Sequence, residues 1–152
     1  MRKKALIVWG GWDGHEPRQV AEILAGQLTD NNFDVEVRDT LDAFLDEGKL
    51  LEKDLIVPEW TMGTITKEQL QPLLAAVDKG VGLAGLHGGM GDSFRQATDY
   101  QFMVGGQWVA HPGGIIDYRV HIVDHVDPIT AGLEHFNMRS EQYYMHVDPS
   151  NH

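Results

Sequence analysis

The apolar residues fall into short blocks whose spacing switches between that of buried strands and that of amphipathic helices. Ala5–Trp9 (ALIVW) is a continuous apolar run stopped by Gly10-Gly11, as expected of a strand covered on both faces. After WDGHEP, the positions Val20, Ile23, Leu24 and Leu28 line one helical face, with Pro17 in the first turn and Asp30-Asn31-Asn32 at the end. Phe33, Val35 and Val37 alternate with charged residues, which predicts a strand with one wetter face. Leu55-Ile56-Val57 predicts a third strand closed by Pro58, reached through a loop. Thr66 and Gln69 have the spacing of a capping box. They precede a second helical stripe of Leu70, Leu73, Leu74 and Val77 that ends near Lys79-Gly80. Pro72 inside that stripe predicts a kink or a later start. Val81–Leu86 is the fourth strand.

This β-α-β-loop-β-α-β order predicts an α/β fold, a three-layer sandwich with a mostly parallel sheet and helices on both faces. Residues 1–152 are read as a single domain. The pattern loosens after residue 100, where Gly105-Gly106, Pro112-Gly113-Gly114 and Asp127-Pro128 mark turns. Tyr118, Val120 and Ile122 alternate as in an edge strand.

Composition narrows the function classes. At 42% hydrophobic the chain can bury a core. It has no apolar run long enough to span a membrane, and the Ala5–Trp9 run is too short for the apolar part of a signal peptide. Cysteine is absent, which removes disulfides, thiolate metal sites and a cysteine nucleophile, and suits a reducing cytoplasm. A formal charge of −11 disfavours nucleic acid as a partner. The eight histidines are the unusual feature, and several stand beside Gly or Pro in predicted loops.

Ligands of open α/β sheets bind beyond the carboxyl ends of the strands. Four segments are expected there: WGGWDGHE with His15 and Glu16, PEWTMG with Glu59 and Trp60, LHGGMGDSF with His87, and WVAHPGG with His111. In Gly85-Leu86-His87-Gly88-Gly89 the fourth strand turns sharply among small residues, an elbow that presents the side chain of residue 87. Hydrolases and amidotransferases place a nucleophile at such an elbow. Imidazole suits general acid–base work or metal binding instead, and a histidine bonded only to turn backbone is the plain alternative. Pro112 restricts His111 to extended backbone, which would hold its side chain in place. His121, His125 and His135 are read as surface or loop residues, and His146 could face either way.

No HExxH or close histidine pair is present, but His15, His87, His111 and a carboxylate such as Glu141 would together satisfy a zinc ion chemically. Trp9 reads as core. Trp12, Trp60 and Trp108 serve equally as core residues or as stacking platforms for a sugar. The GGWDG stretch lacks dinucleotide-loop spacing, and Ser93 and Ser140 lack a nucleophile's setting.

Five segments in order resemble the trehalose-utilisation (ThuA-like) family: VWGGWDGHE, GVGLAGLHGG, VGGQWVAHPGG, DHVDPITAGL and SEQYYMHVDPS. The resemblance implies a fold like that of class I glutamine amidotransferases (flavodoxin-like). With histidine where those relatives carry cysteine, glutaminase activity is ruled out. It further implies a role in carbohydrate metabolism, on trehalose or a related disaccharide and its keto forms. His15, His87, His111 and Glu141 would then line one crevice as catalytic or zinc-ligating groups. Trp12, Trp60, Trp108, Tyr143, Gly11 and Gly88 would contact the substrate. A non-catalytic sugar-binding or accessory subunit, or a metal-dependent hydrolase of another small molecule, are the alternatives. Family members usually continue with further strands past the point where this sequence stops. The edge so left predicts pairing with another copy, that is, a homo-oligomer.

Overall fold

The computed structural model describes residues 2–149 and divides into two compact units. One runs to Gln107 and is rejoined at Val147; the other is Trp108–His146.

The first unit begins with β1 (Lys3–Gly11), a 3-10 turn at Asp13–His15, α1 (Pro17–Asp30) and β2 (Phe33–Arg38). A second 3-10 turn at Leu41–Phe44 and α2 (Glu47–Leu51) lead to β3 (Leu55–Thr61), α3 (Lys67–Asp78) and β4 (Gly82–Leu83). Then come α4 (Gly88–Gly91) and α5 (Thr98–Val104). The strands form one sheet in the order β2-β1-β3-β4, every pairing parallel. The order reverses between β1 and β3, where doubly wound sheets open a crevice for ligand.

Alternation along β1 sends side chains to opposite layers. Leu6 and Val8 join a cluster with Phe44, Leu50, Ile56 and Leu73. Ile7 joins Ala21 and Val57 against α1. Helices therefore cover both faces, as the sequence predicts.

Several expectations need correction. The loop expected after β2 contains helical turns, because Leu41, Phe44 and Leu50 bury there. β3 runs past Pro58 to Thr61. The reason is local: β4 pairs only at Leu55↔Gly82 and Ile56↔Leu83. At Pro58 the ladder partner on β4's side has already ended, so no N–H is required there. β4 is correspondingly two residues, not six. α3 has the predicted capping box and passes through Pro72 from Lys67 to Asp78, with no later start. On α1, Ile23 is 60% exposed, because the face against the sheet is centred on Pro17, Ala21, Leu24 and Leu28.

β5 (Gly106–Ala110) and β8 (Tyr144–Val147), the strands by which the chain enters and leaves the second unit, make one two-stranded ladder. β6 (Ile115–Val120) and β7 (Phe136–Glu141) make an antiparallel one. No described helix is long and apolar enough to cross a membrane.

Candidate functional site

In the first unit the site grows from the ends of β1, β3 and β4. Gly10 and Gly11 leave β1 with φ of 153° and 82°. Gly11 lies so close to the Thr61 carbonyl that a Cβ would overlap it, so the chain can turn there only as glycine. The Trp12 amide donates to Thr61 O at 3.0 Å, and the Glu16 amide closes the 3-10 turn on Asp13 O at 2.9 Å. This frame sets His15, whose Nδ1 lies 3.0 Å from Thr61 Oγ1. The Trp12 ring meets the His15 ring edge-on at 4.8 Å.

His87 stands at the predicted elbow with φ 51° and ψ −133°. A side-chain-bearing residue in that region carries strain on the order of 1–3 kcal/mol, which only a firm surrounding sustains. The elbow is stitched by Gly89 N to Leu86 O at 3.0 Å and Gly91 N to His87 O at 2.9 Å. Its exposed imidazole lies with its centroid 4.9 Å from that of His15, the two rings at 70°. Four described non-glycine residues have positive φ, and three of them are His87, Glu16 beside His15 and Met62 beside Thr61. Backbone strain is thus gathered around the imidazole pair.

Gly88 and Gly89 are buried against β3. A Cβ on Gly88 would strike the His15 ring and Thr61 Oγ1, and one on Gly89 would land on the Glu59 carboxylate. Glu59 is 3% exposed, and its Oε2 has no hydrogen-bond partner among the described residues. Burial pushes its carboxyl up to about 7. The sequence places Glu59 in the loop after the third strand, among polar residues expected at the pocket, because Pro58 reads as the end of the strand. The pairing Trp9↔Glu59 puts it inside the ladder.

Trp60 packs against the main core cluster, close to Gly10 and Gly63. Trp9 packs against the smaller cluster, and Trp12 is 47% exposed. Ser93 is buried and donates to Gly89 O at 2.8 Å. A hollow of about 590 Å³ opens between α3 and α5, lined by Leu74, Val77, Phe102 and Met103 with Asp78 and Asp99. It contains no histidine, so the site is assigned on chemistry and not on volume.

In the second unit His111 Nε2 lies 3.5 Å from Glu141 Oε1. The His111 ring runs nearly parallel to Tyr143 at 6.3 Å, and Trp108 lies 6.0 Å from both rings. His111 Nδ1 is buried with no described hydrogen-bond partner. The turn at Gly113-Gly114 closes on the His111 carbonyl at 3.1 Å. His121, His125, His135 and His146 are exposed. The His135 ring lies 4.9 Å from that of His121 and 5.9 Å from that of His125.

The structure thus brings His15 to His87 in one unit and His111 to Glu141 in the other. Both pairs place an imidazole, a side chain able to carry a proton near neutral pH, beside a second polar side chain.

Two solved structures share the fold. A ThuA-like protein from Bacteroides uniformis aligns with TM-score 0.81 and 19% identity over 99% of this chain and 64% of its own. One from Parabacteroides merdae aligns with TM-score 0.71 and 18% identity over 99% of this chain and 66% of its own. The present chain therefore spans about two thirds of the length of each. Comparison with curated proteins gives no match. The model of the family described as "Trehalose utilisation" (ThuA) matches residues 4–152, and the chain belongs to that family.

Proposed function

We propose that the protein binds a disaccharide, trehalose or a keto form of it, and moves a proton to or from that sugar through imidazole. His87 is the acid–base group and His15 its relay partner. The observation that carries this reading is the 4.9 Å imidazole pair at the reversal point of the parallel sheet, one ring strained into place and the other anchored by Thr61. A proton moved next to a hydroxyl or carbonyl serves hydrolysis, isomerisation and epimerisation alike.

Trp12, half exposed beside His15, is the stacking platform for a sugar ring. Gly11 and Gly88 keep the backbone low on either side of the pair. In the second unit His111, set by Glu141 and flanked by Trp108 and Tyr143, combines an imidazole, a carboxylate and aromatic faces, a set suited to a polyol. The His15–His87 pair supplies two nitrogen donors where a zinc site takes about four ligands. The zinc expectation is tested by elemental analysis of purified protein, and no step above depends on it.

Calorimetry against trehalose and 3-keto-trehalose, followed by product analysis, tests the proposal. Binding with turnover that is lost in His87→Ala and cut at least tenfold in His15→Ala supports it. Heat without product reassigns the protein as an accessory sugar-binding subunit. Absence of heat with both sugars defeats the carbohydrate reading.

A further inference from the structure

The proposed function leaves one buried polar group unused. Glu59 and Thr61 are two residues apart on β3, so their side chains emerge on the same face of the strand. Thr61 touches His15 directly. Glu59 reaches the elbow that carries His87 at Gly89, where its carboxylate fills the space that a side chain would need. Gly89 is the second residue after His87, inside the single turn of α4. One face of one strand therefore bears on His15 and on the elbow that carries His87.

We propose that Glu59 is a positioning residue: its carboxyl, packed beneath Gly89, props the elbow and holds His87 in its strained conformation at the rim of the sheet. The groups around it suit a neutral acid and not an anion. Ser93 Oγ donates to Gly89 O at 2.8 Å, and the Tyr100 hydroxyl lies 3.3 Å from Ser93 Oγ. The Tyr100 hydroxyl is itself pushed upward, first by burial and in part by the charge of Glu59. Burial alone accounts for the raised Glu59 carboxyl, and no cation offsets it. Arg95, the cation that follows α4 in the chain, grips Asp92 with two bonds of 2.5 and 2.7 Å. An ionised Glu59 would be a buried charge without a counter-ion, with Oε2 lacking even a hydrogen bond among the described residues. Its carboxylate lies against Gly89, so any displacement of that carboxylate bears on the elbow. Loss of the Glu59 proton near neutral pH is thereby transmitted to His87.

The test needs no sugar, so its failure and that of the proposed function are separable. In chelator-treated protein, the His87 ring proton and the Glu59 carboxyl carbon are followed by NMR from about pH 5 to about pH 9, a span covering both groups. The expected result is a His87 curve with two steps, one coinciding with the Glu59 step. In Glu59→Gln that step is gone, while the His111 curve is unchanged. Identical His87 curves in the two proteins would overturn the proposal, as would a Glu59 step with no response at His87. Should Glu59→Gln not fold, the wild-type pair of curves decides alone: a shared step supports the proposal and a one-step His87 curve overturns it.

Discussion

The two units of the chain solve the same problem, holding an imidazole in place, by different means. The first unit packs its site onto a buried core. Thr61, Glu59, Gly88 and Gly89 are all closed to water, and the core beneath them holds Val8, Ile56 and Phe44 at 0% exposure. The second unit has no buried residue among those described: its ladders are part-exposed, and Val123, Val126 and Ile129 are 95, 90 and 85% exposed. Its imidazole is set by turn geometry, an ion pair and ring contacts. Packing over-determines a conformation and can therefore sustain strain such as that at His87. A ladder open to water has little such capacity.

The sharpest way to break this comparison is to remove one phenyl ring from each unit. Phe44→Ala empties a fully buried site and should cost about 3–5 kcal/mol in urea unfolding. Phe136, on β7, is 46% exposed, and Phe136→Ala should cost less than about 1 kcal/mol. Amide exchange gives an independent reading, since β1 and β3 should outlast β6 and β7. Equal costs, or equal protection, would show that the second unit is as firmly packed as the first.

The next largest effect is a pH dependence rooted in the first unit. Burial raises the Glu59 carboxyl to about 7 in the folded protein, against an ordinary value of 4.5. Between those values the native state keeps a proton that the unfolded chain has released. Stability must therefore fall as pH rises through that window, by up to about 3 kcal/mol once above pH 7. Glu59→Gln removes the titration. Its advantage over wild type should grow from about pH 4.5 and level off beyond about pH 7. Urea midpoints across that range check it, and parallel curves for the two proteins would refute the burial argument. A smaller, steric effect probes the same contact. Gly89→Ala should cost about 1–3 kcal/mol by overpacking. Shortening Glu59 to Ala in the same chain should recover at least about 1 kcal/mol as coupling energy. Strict additivity would mean that the two residues do not share space.

Much of the first unit was legible in the sequence because its signals are local. The ALIVW block, the Thr66–Gln69 cap and the glycines after His87 each state their role within a few residues. What escaped depends on partners elsewhere in the chain. Pro58 ends a strand only if a neighbour needs its N–H, and β4's two-residue pairing removes that need. Leu41 and Phe44 looked like loop residues because two apolar positions make no periodic stripe, yet both bury. Ile23 fitted a helical stripe that the small residue Ala21, closer to the sheet, displaced. Glu59 was expected near the pocket but in a loop, because the proline before it reads as a strand end; its place inside the ladder depends on β1 and β4. In the second unit the resemblance put His111 and Glu141 in one crevice with His15 and His87, but the contact of His111 with Glu141 follows no spacing rule, since 29 residues separate them.

The smallest effect separates the two anchors themselves. His15 is held by Thr61, 2% exposed, through a 3.0 Å contact between side chains. Thr61→Val keeps the shape and removes the bond inside a closed space, so the ring nitrogen loses its hydroxyl without regaining water. The expected cost is about 1–2 kcal/mol. His111 and Glu141 are 3.5 Å apart with side-chain exposures of 38% and 18%, longer than a charge-assisted bond of about 2.7–2.9 Å. Water reaches this pair and screens it, so its coupling should be below about 1 kcal/mol in a cycle of His111→Ala, Glu141→Gln and the double variant. Larger coupling in the second pair than in the first would mean that an exposed ladder anchors an imidazole as firmly as a packed strand. Strain at His87 could then no longer be credited to the core beneath it.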